Sequence, residues 1–274
     1  MALLIVIFGV TSIAAFFYFV QDRIIYLPQA YARPHGQILA QELRTGRKNR
    51  LLSFQTSQGQ QQAVYFGEDR AQKVWLMFGG NGARALDWLA LIRRVPVEAD
   101  VGFLLIDYPG YGWSEGRPDP RTIQQSVAGA LLLLADEWEL PLDDLEKSLS
   151  CMGHSLGAAV ALEVAVERGV REVVVISPFT TMAAMAERVV GKPIAYLLRH
   201  RFDNVKSLQA LQKNEQARVV MFHGEEDKMI PYAMGQSLGR DFAGLVTFHP
   251  VQQAGHNDIL SHIDGQLIQL LAAE

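Results

Sequence analysis

The sequence predicts an α/β fold, with a mostly parallel central sheet covered by helices on both faces and a small helical cap. Two observations carry this expectation: short, nearly continuous apolar runs alternate with longer helical patterns, and a hairpin-like pair of runs precedes them. Strands buried on both faces read as unbroken apolar runs, and parallel neighbours need a crossover between them. The opening pair is Leu51–Phe54 and Ala63–Phe66, separated by the turn-rich Ser57-Gln58-Gly59-Gln60, which gives the sheet an antiparallel edge. The later runs are Val74–Phe78, Val101–Ile106, Leu149–Met152, Val173–Ile176, Val219–Phe222 and Leu245–Phe248. Helical patterns fall near Ala83–Val95, Arg121–Trp138, Leu156–Arg168 and Asn257–Leu271. The interval from Pro178 to Ala217 is longer than an ordinary crossover and has a helical pattern of its own, as a cap over the C-terminal edge of the sheet would.

The N-terminus is of another kind. From Ala2 to Val20 the chain carries no charge, and apart from the Tyr18 hydroxyl only Thr11 and Ser12 are polar. A helix of this length, rising ~1.5 Å per residue, just crosses a hydrocarbon core of ~30 Å. Asp22 and Arg23 end the run, and Tyr18 and Tyr26 suit an interface. A cleaved signal peptide is the weaker reading, because the basic start is missing and the apolar run continues past Ser12-Ile13-Ala14. A buried soluble helix apolar on every face is hard to place in a domain of this size. The expectation is therefore a single-pass membrane protein, with an anchor at 1–21, a connecting segment at 22–50, and the α/β domain at 51–274 whose cap spans about 178–217. The basic residues after the anchor favour a cytoplasmic flank, whereas an N-terminal anchor often exports the domain behind it; both orientations stay open.

Composition narrows the partners. The 274 residues are 49% hydrophobic and 20% charged, enough for a sizeable core. A net charge of -4 and a pI near 6.0 give no basic footprint for nucleic acid. The seven histidines form neither HExxH nor a Cys/His cluster, so no metal is expected. Cys151 is the only cysteine, expected as a buried strand residue rather than a reactive thiol.

The residues that carry chemistry sit at strand ends. Gly153-His154-Ser155-Leu156-Gly157 fits G-x-S-x-G between an apolar run and a helical pattern. That setting allows a tight turn that exposes Ser155, with the following helix aiming its N-terminal amides at developing negative charge. Serine needs a base, and the base an orienting acid. Asp227, on the loop after Val219–Phe222, is the expected acid, with Glu225 and Glu226 as local competitors. His256, in Ala254-Gly255-His256-Asn257-Asp258 after the last run, is the expected base. His154 and His223 are expected to pack or to shape turns. The loop Phe78-Gly79-Gly80-Asn81-Gly82 offers a backbone N–H at Asn81, with Gly82 close behind, to complete an oxyanion hole with that of Leu156. It lacks the spacing of a nucleotide-binding loop.

These motifs, together with the loop Asp107-Tyr108-Pro109-Gly110-Tyr111-Gly112-Trp113-Ser114-Glu115-Gly116, resemble the α/β-hydrolase superfamily. The segment Ser177–Leu208 is similar to the short cap of its Bem46-like, membrane-anchored branch. The resemblance runs from about Asp22 to the C-terminus and implies Ser155, Asp227 and His256 as a triad, with backbone donors at Leu156 and Asn81. The family often has His-Gly where this chain has Gly79-Gly80, which implies an oxyanion loop lacking its usual side-chain support. The function expected is a serine hydrolase that needs no cofactor and cleaves a carboxylic ester or thioester of a lipid or other acyl substrate. A peptidase of the same fold is the alternative within enzymes, and a non-catalytic membrane binding protein the alternative outside them.

Overall fold

The computed structural model describes residues 2–32 and 47–273. It begins with α1 (Ala2–Ile25), a 24-residue helix. The side chains of 2–11, 13 and 14 fall outside the described residues, and with them most of the run expected to span a membrane; so do residues 33–46 of the expected connecting segment. Among the described residues no helix is long and apolar enough to cross a membrane.

Eight strands form one sheet: β1 (Asn49–Thr56), β2 (Gly59–Phe66), β3 (Lys73–Phe78), β4 (Val101–Ile106), β5 (Leu149–His154), β6 (Glu172–Ile176), β7 (Arg218–Gly224) and β8 (Val246–Val251), in the order β1-β2-β4-β3-β5-β6-β7-β8. The β1–β2 and β2–β4 pairs are antiparallel and every other pair is parallel. Alternate residues of β3 point to opposite faces, so Val74, Leu76 and Phe78 join one core, and Trp75 and Met77 the other. Cys151 lies fully buried in β5, where burial pushes its thiol pKa far up.

The helices that cover the sheet end where their sequences dictate. Two short helical turns, at Ala85–Trp88 and Leu89–Ile92 (α2), stand where one helix is expected over Ala83–Val95. The buried Asp107 carboxylate draws the Ala85 N–H to 2.9 Å, and Pro96 turns Val95 away from helical geometry. Helix α3 (Pro120–Glu137) starts at Asp119, whose carboxylate accepts from Thr122 N at 2.8 Å, with Pro120 at its first position. After α4 (Leu142–Glu146) and β5, helix α5 (Leu156–Arg168) closes on Gly169, whose φ of 68° suits a left-handed cap. Between β6 and β7 lie α6 (Met182–Val190), α7 (Lys192–Ala195) and α8 (Asn204–Leu211). Then come α9 (Tyr232–Asp241), β8 and α10 (Ile259–Ala272). β8 continues past Phe248 through Pro250, which an edge strand tolerates because one side needs no N–H donor.

Candidate active site

The turn after β5 holds Ser155 at φ 58°, ψ -119°, a left-handed backbone that L side chains rarely adopt. Two glycines make this turn possible. A Cβ at Gly153 would stand 2.0 Å from the Gly157 carbonyl oxygen, and one at Gly157 would stand 2.2 Å from that of Phe78. The Ser155 N–H is tied to the Ile176 carbonyl at 2.9 Å, so the residue leaves the sheet in a fixed direction.

β7 delivers the carboxylate. Asp227 Oδ1 accepts from the N–H groups of Met229 and Ile230 at 2.9 and 2.8 Å, and Oδ2 lies 2.7 Å from His256 Nδ1. The fully buried His223 closes the loop: its Nε2 donates to the Ile230 carbonyl at 3.0 Å and lies 3.5 Å from Asp227 Oδ2. Burial alone would raise the Asp227 pKa. Hydrogen bonds from His223 and His256 and the charge of His256 outweigh it and hold the carboxyl well below its ordinary range. Glu225 and Glu226 are exposed on the same loop.

His256 comes from the loop between β8 and α10, and its Nε2 lies 2.9 Å from Ser155 Oγ. An ionised Asp227 only accepts, which puts the ring proton on Nδ1 and leaves the Nε2 lone pair facing the serine hydroxyl. His154 Nε2 donates to the His256 carbonyl at 3.0 Å. Burial first, then the neighbouring His256, push the His154 pKa down to about 4, so it stays a neutral donor. The other histidines are elsewhere: His249 stacks on Phe222, His262 faces Asp258, His200 lies beneath α1, and His35 falls outside the described residues.

The loop after β3 passes over the serine. A Cβ on Gly80 would meet Ser155 Cβ at 3.4 Å, and Asn81 and Leu156 line the same cavity as Ser155 and His256. This loop is supported, contrary to what Gly79-Gly80 in place of His-Gly implies. The Tyr108 hydroxyl donates to the Gly79 carbonyl at 2.9 Å, and the Tyr111 hydroxyl to that of Asn81 at 2.6 Å. Both tyrosines come from the loop after β4. Its Asp107 is buried and holds Ala85 N, and burial lifts its pKa to about 6. Nothing in the local sequence around Tyr108 and Tyr111 marks this task, which follows from the pairing of β3 with β4.

Beside the serine lies a cavity of about 280 Å³, with Phe179 above β6 and Met182, Met185 and Val189 of α6 along one wall. Phe17, Ile24 and Ile25 of α1 line the same cavity, a contribution that sequence reasoning missed. Among the described residues no cluster of His, Cys, Asp or Glu could hold a metal ion.

Residues 76–214 match the model of the alpha/beta hydrolase family, half of the chain. This chain belongs to that family. An uncharacterized protein of Mycobacterium tuberculosis is 30% identical over 157 residues, covering 57% of this alpha/beta hydrolase and 53% of the relative. Alpha/beta hydrolase domain-containing protein 17B of Homo sapiens is 25% identical over 165 residues, covering 60% and 53%. The chain thus spans about half the length of these curated relatives. Among solved structures, the Pyrococcus furiosus esterase Pf2001 superposes with a TM-score of 0.66 over 90% of this chain and 96% of its own, at 12% identity, a likeness of fold.

Proposed function

We propose that this alpha/beta hydrolase is a membrane-anchored serine hydrolase of the Bem46-like branch, cleaving a carboxylic ester or thioester of a lipid or other acyl-chain substrate. One observation carries the reading: His256 bridges Ser155 Oγ at 2.9 Å and Asp227 Oδ2 at 2.7 Å. In this reading Ser155 Oγ attacks the acyl carbonyl, and its proton passes to His256 Nε2 as the C–O bond forms. The carbonyl electron pair moves onto oxygen, where the amides of Leu156 and Asn81 stabilise it as hydrogen-bond donors. Collapse breaks the bond to the alcohol or thiol, which leaves with the proton from His256. Water, deprotonated by the same imidazole, then releases the acid and restores Ser155. Asp227 keeps Nδ1 protonated and stabilises the imidazolium.

The apolar cavity supports an acyl chain over a peptide. A peptide brings amide groups that lose water at a cost of about 1–3 kcal/mol each when unpaired. Met182, Met185 and Val189 offer no hydrogen-bond acceptors of useful strength. The uncharged run Ala2–Val20 supports the anchor.

A fluorophosphonate probe tests the nucleophile. We expect the wild-type protein to be labelled and Ser155→Ala to be blank. A folded wild type that stays unlabelled and turns over neither esters nor peptides would favour a binding protein. Turnover of peptides but not esters would favour a peptidase.

A further inference from the structure

The last turns of α1 are built into the domain through polar ties. Gln21 is buried; its Nε2 donates to the carbonyls of Tyr18 and Leu197 at 2.9 and 3.3 Å, and its Oε1 accepts from Arg199 N at 2.7 Å. Asp22 pairs with Arg199 at 2.5 Å and with His200 Nε2 at 2.8 Å. The Tyr26 hydroxyl meets the other nitrogen of His200 at 3.1 Å. Just beyond the helix, Leu27 N donates to the Asn81 carbonyl at 2.9 Å, so the end of α1 touches the loop over the serine.

These ties aim one face of the helix at the cavity. Phe17, Gln21, Ile24 and Ile25 follow the i, i+4, i+7, i+8 spacing of a single helical face, and all four line the space beside Ser155 and His256. Both amide hydrogens of Gln21 are spent on the ties, so it adds no unpaired donor there. Phe16 and Phe19, off that face, are 64% and 74% exposed. An anchor alone needs no such division. At about 280 Å³ the cavity lies just under the ~300–1,000 Å³ of pockets that enclose drug-sized ligands, which suits one acyl chain rather than a whole two-chain lipid.

We propose that α1 is a substrate-binding element: a single acyl chain bound through Ser155 lies between Phe17 and Ile24 of α1 and Met185 and Val189 of α6, and α1 thereby sets which chain lengths are accepted. The inference rests on the serine hydrolase reading above. Its side chains act by shape, since none of these four carries a group able to join the chemistry.

The test uses the full chain in detergent micelles and an alkyl fluorophosphonate with a diazirine at the end of its chain. After the probe has reacted and been irradiated, crosslinked fragments are mapped by mass spectrometry. We expect an adduct at Ser155 whose chain is crosslinked to fragments covering Phe17–Ile25 and to α6. An adduct at Ser155 with crosslinks only outside α1 would overturn the inference and leave the hydrolase reading standing. A folded protein with no adduct at Ser155 would overturn the hydrolase reading itself, and this inference with it. A second measurement uses Ile24→Trp, a position 47% exposed that tolerates a larger side chain without disturbing the core. Its ratio of kcat/KM for decanoyl over butyryl nitrophenyl esters is expected to fall about tenfold or more, as pockets discriminate by a few methylenes. An unchanged ratio in the folded variant would overturn the role of α1.

Discussion

The two sides of the Ser155 site are held in different ways. On the side of β7 and β8, the triad is held by directional contacts: Asp227 takes two backbone N–H groups and the His256 ring, and His154 fixes the His256 carbonyl. On the side of α1 and α6, the cavity wall is methyl, thioether and phenyl surface apart from the Gln21 amide, whose hydrogen bonds go to Tyr18, Leu197 and Arg199, while Asp22 ties to Arg199 and His200. Hydrogen bonds lose their strength within a few tenths of an ångström, whereas apolar packing adapts to modest changes of shape. Substitutions on the first side should therefore cost rate, and those on the second should shift preference.

The largest effect tests the directional side. Asp227→Asn keeps an oxygen for Met229 N and Ile230 N but turns His256 toward the wrong tautomer, and kcat on a short ester is expected to fall by about 10⁴-fold. A loss below about tenfold would mean that Asp227 does not orient the base. A smaller effect separates the two duties given to α1. Removing residues 2–16 leaves Phe17 and the ties of Gln21 and Asp22 in place. The shortened chain is expected to leave carbonate-washed membranes while Ser155 still reacts with a fluorophosphonate; full-length protein already in the supernatant would refute the anchor.

The smallest effect concerns pH. The folded His154 has its pKa pushed down to about 4 from 6.5 by burial and by His256, so the unfolded chain takes up its proton first as pH falls. Stability from this residue is present above about pH 6.5 and is lost as the pH drops toward 4, by at most about 3 kcal/mol. Urea midpoints at pH 7 and pH 4.5 should converge more in His154→Gln than in wild type. Equal slopes would remove His154 from the account.

The same contrast explains what the sequence disclosed. Ser155, Asp227 and His256 each sit in a short motif at a strand end, where a glycine or a turn leaves a local mark, and the eight apolar runs revealed the strands. The supports given by Tyr108 and Tyr111 were hidden because they join residues about thirty apart through neighbouring strands. The α1 wall was hidden more deeply. Gln21 meets Arg199 across 178 positions, and an apolar helix that lines a cavity reads the same as one that faces lipid. The helix expected over Ala83–Val95 starts two residues late for a related reason, since the carboxylate that takes the Ala85 N–H, that of Asp107, lies 22 residues away.

The backbone at Ser155 carries one more consequence. A non-glycine residue at φ 58°, ψ -119° costs the folded state on the order of 1–3 kcal/mol, which glycine would not incur. Mutation without selection for chemistry would thus be rewarded, in foldedness, for giving up the hydroxyl. Under the hydrolase reading proposed above, the Ser155 hydroxyl is presented at the expense of the backbone that carries it.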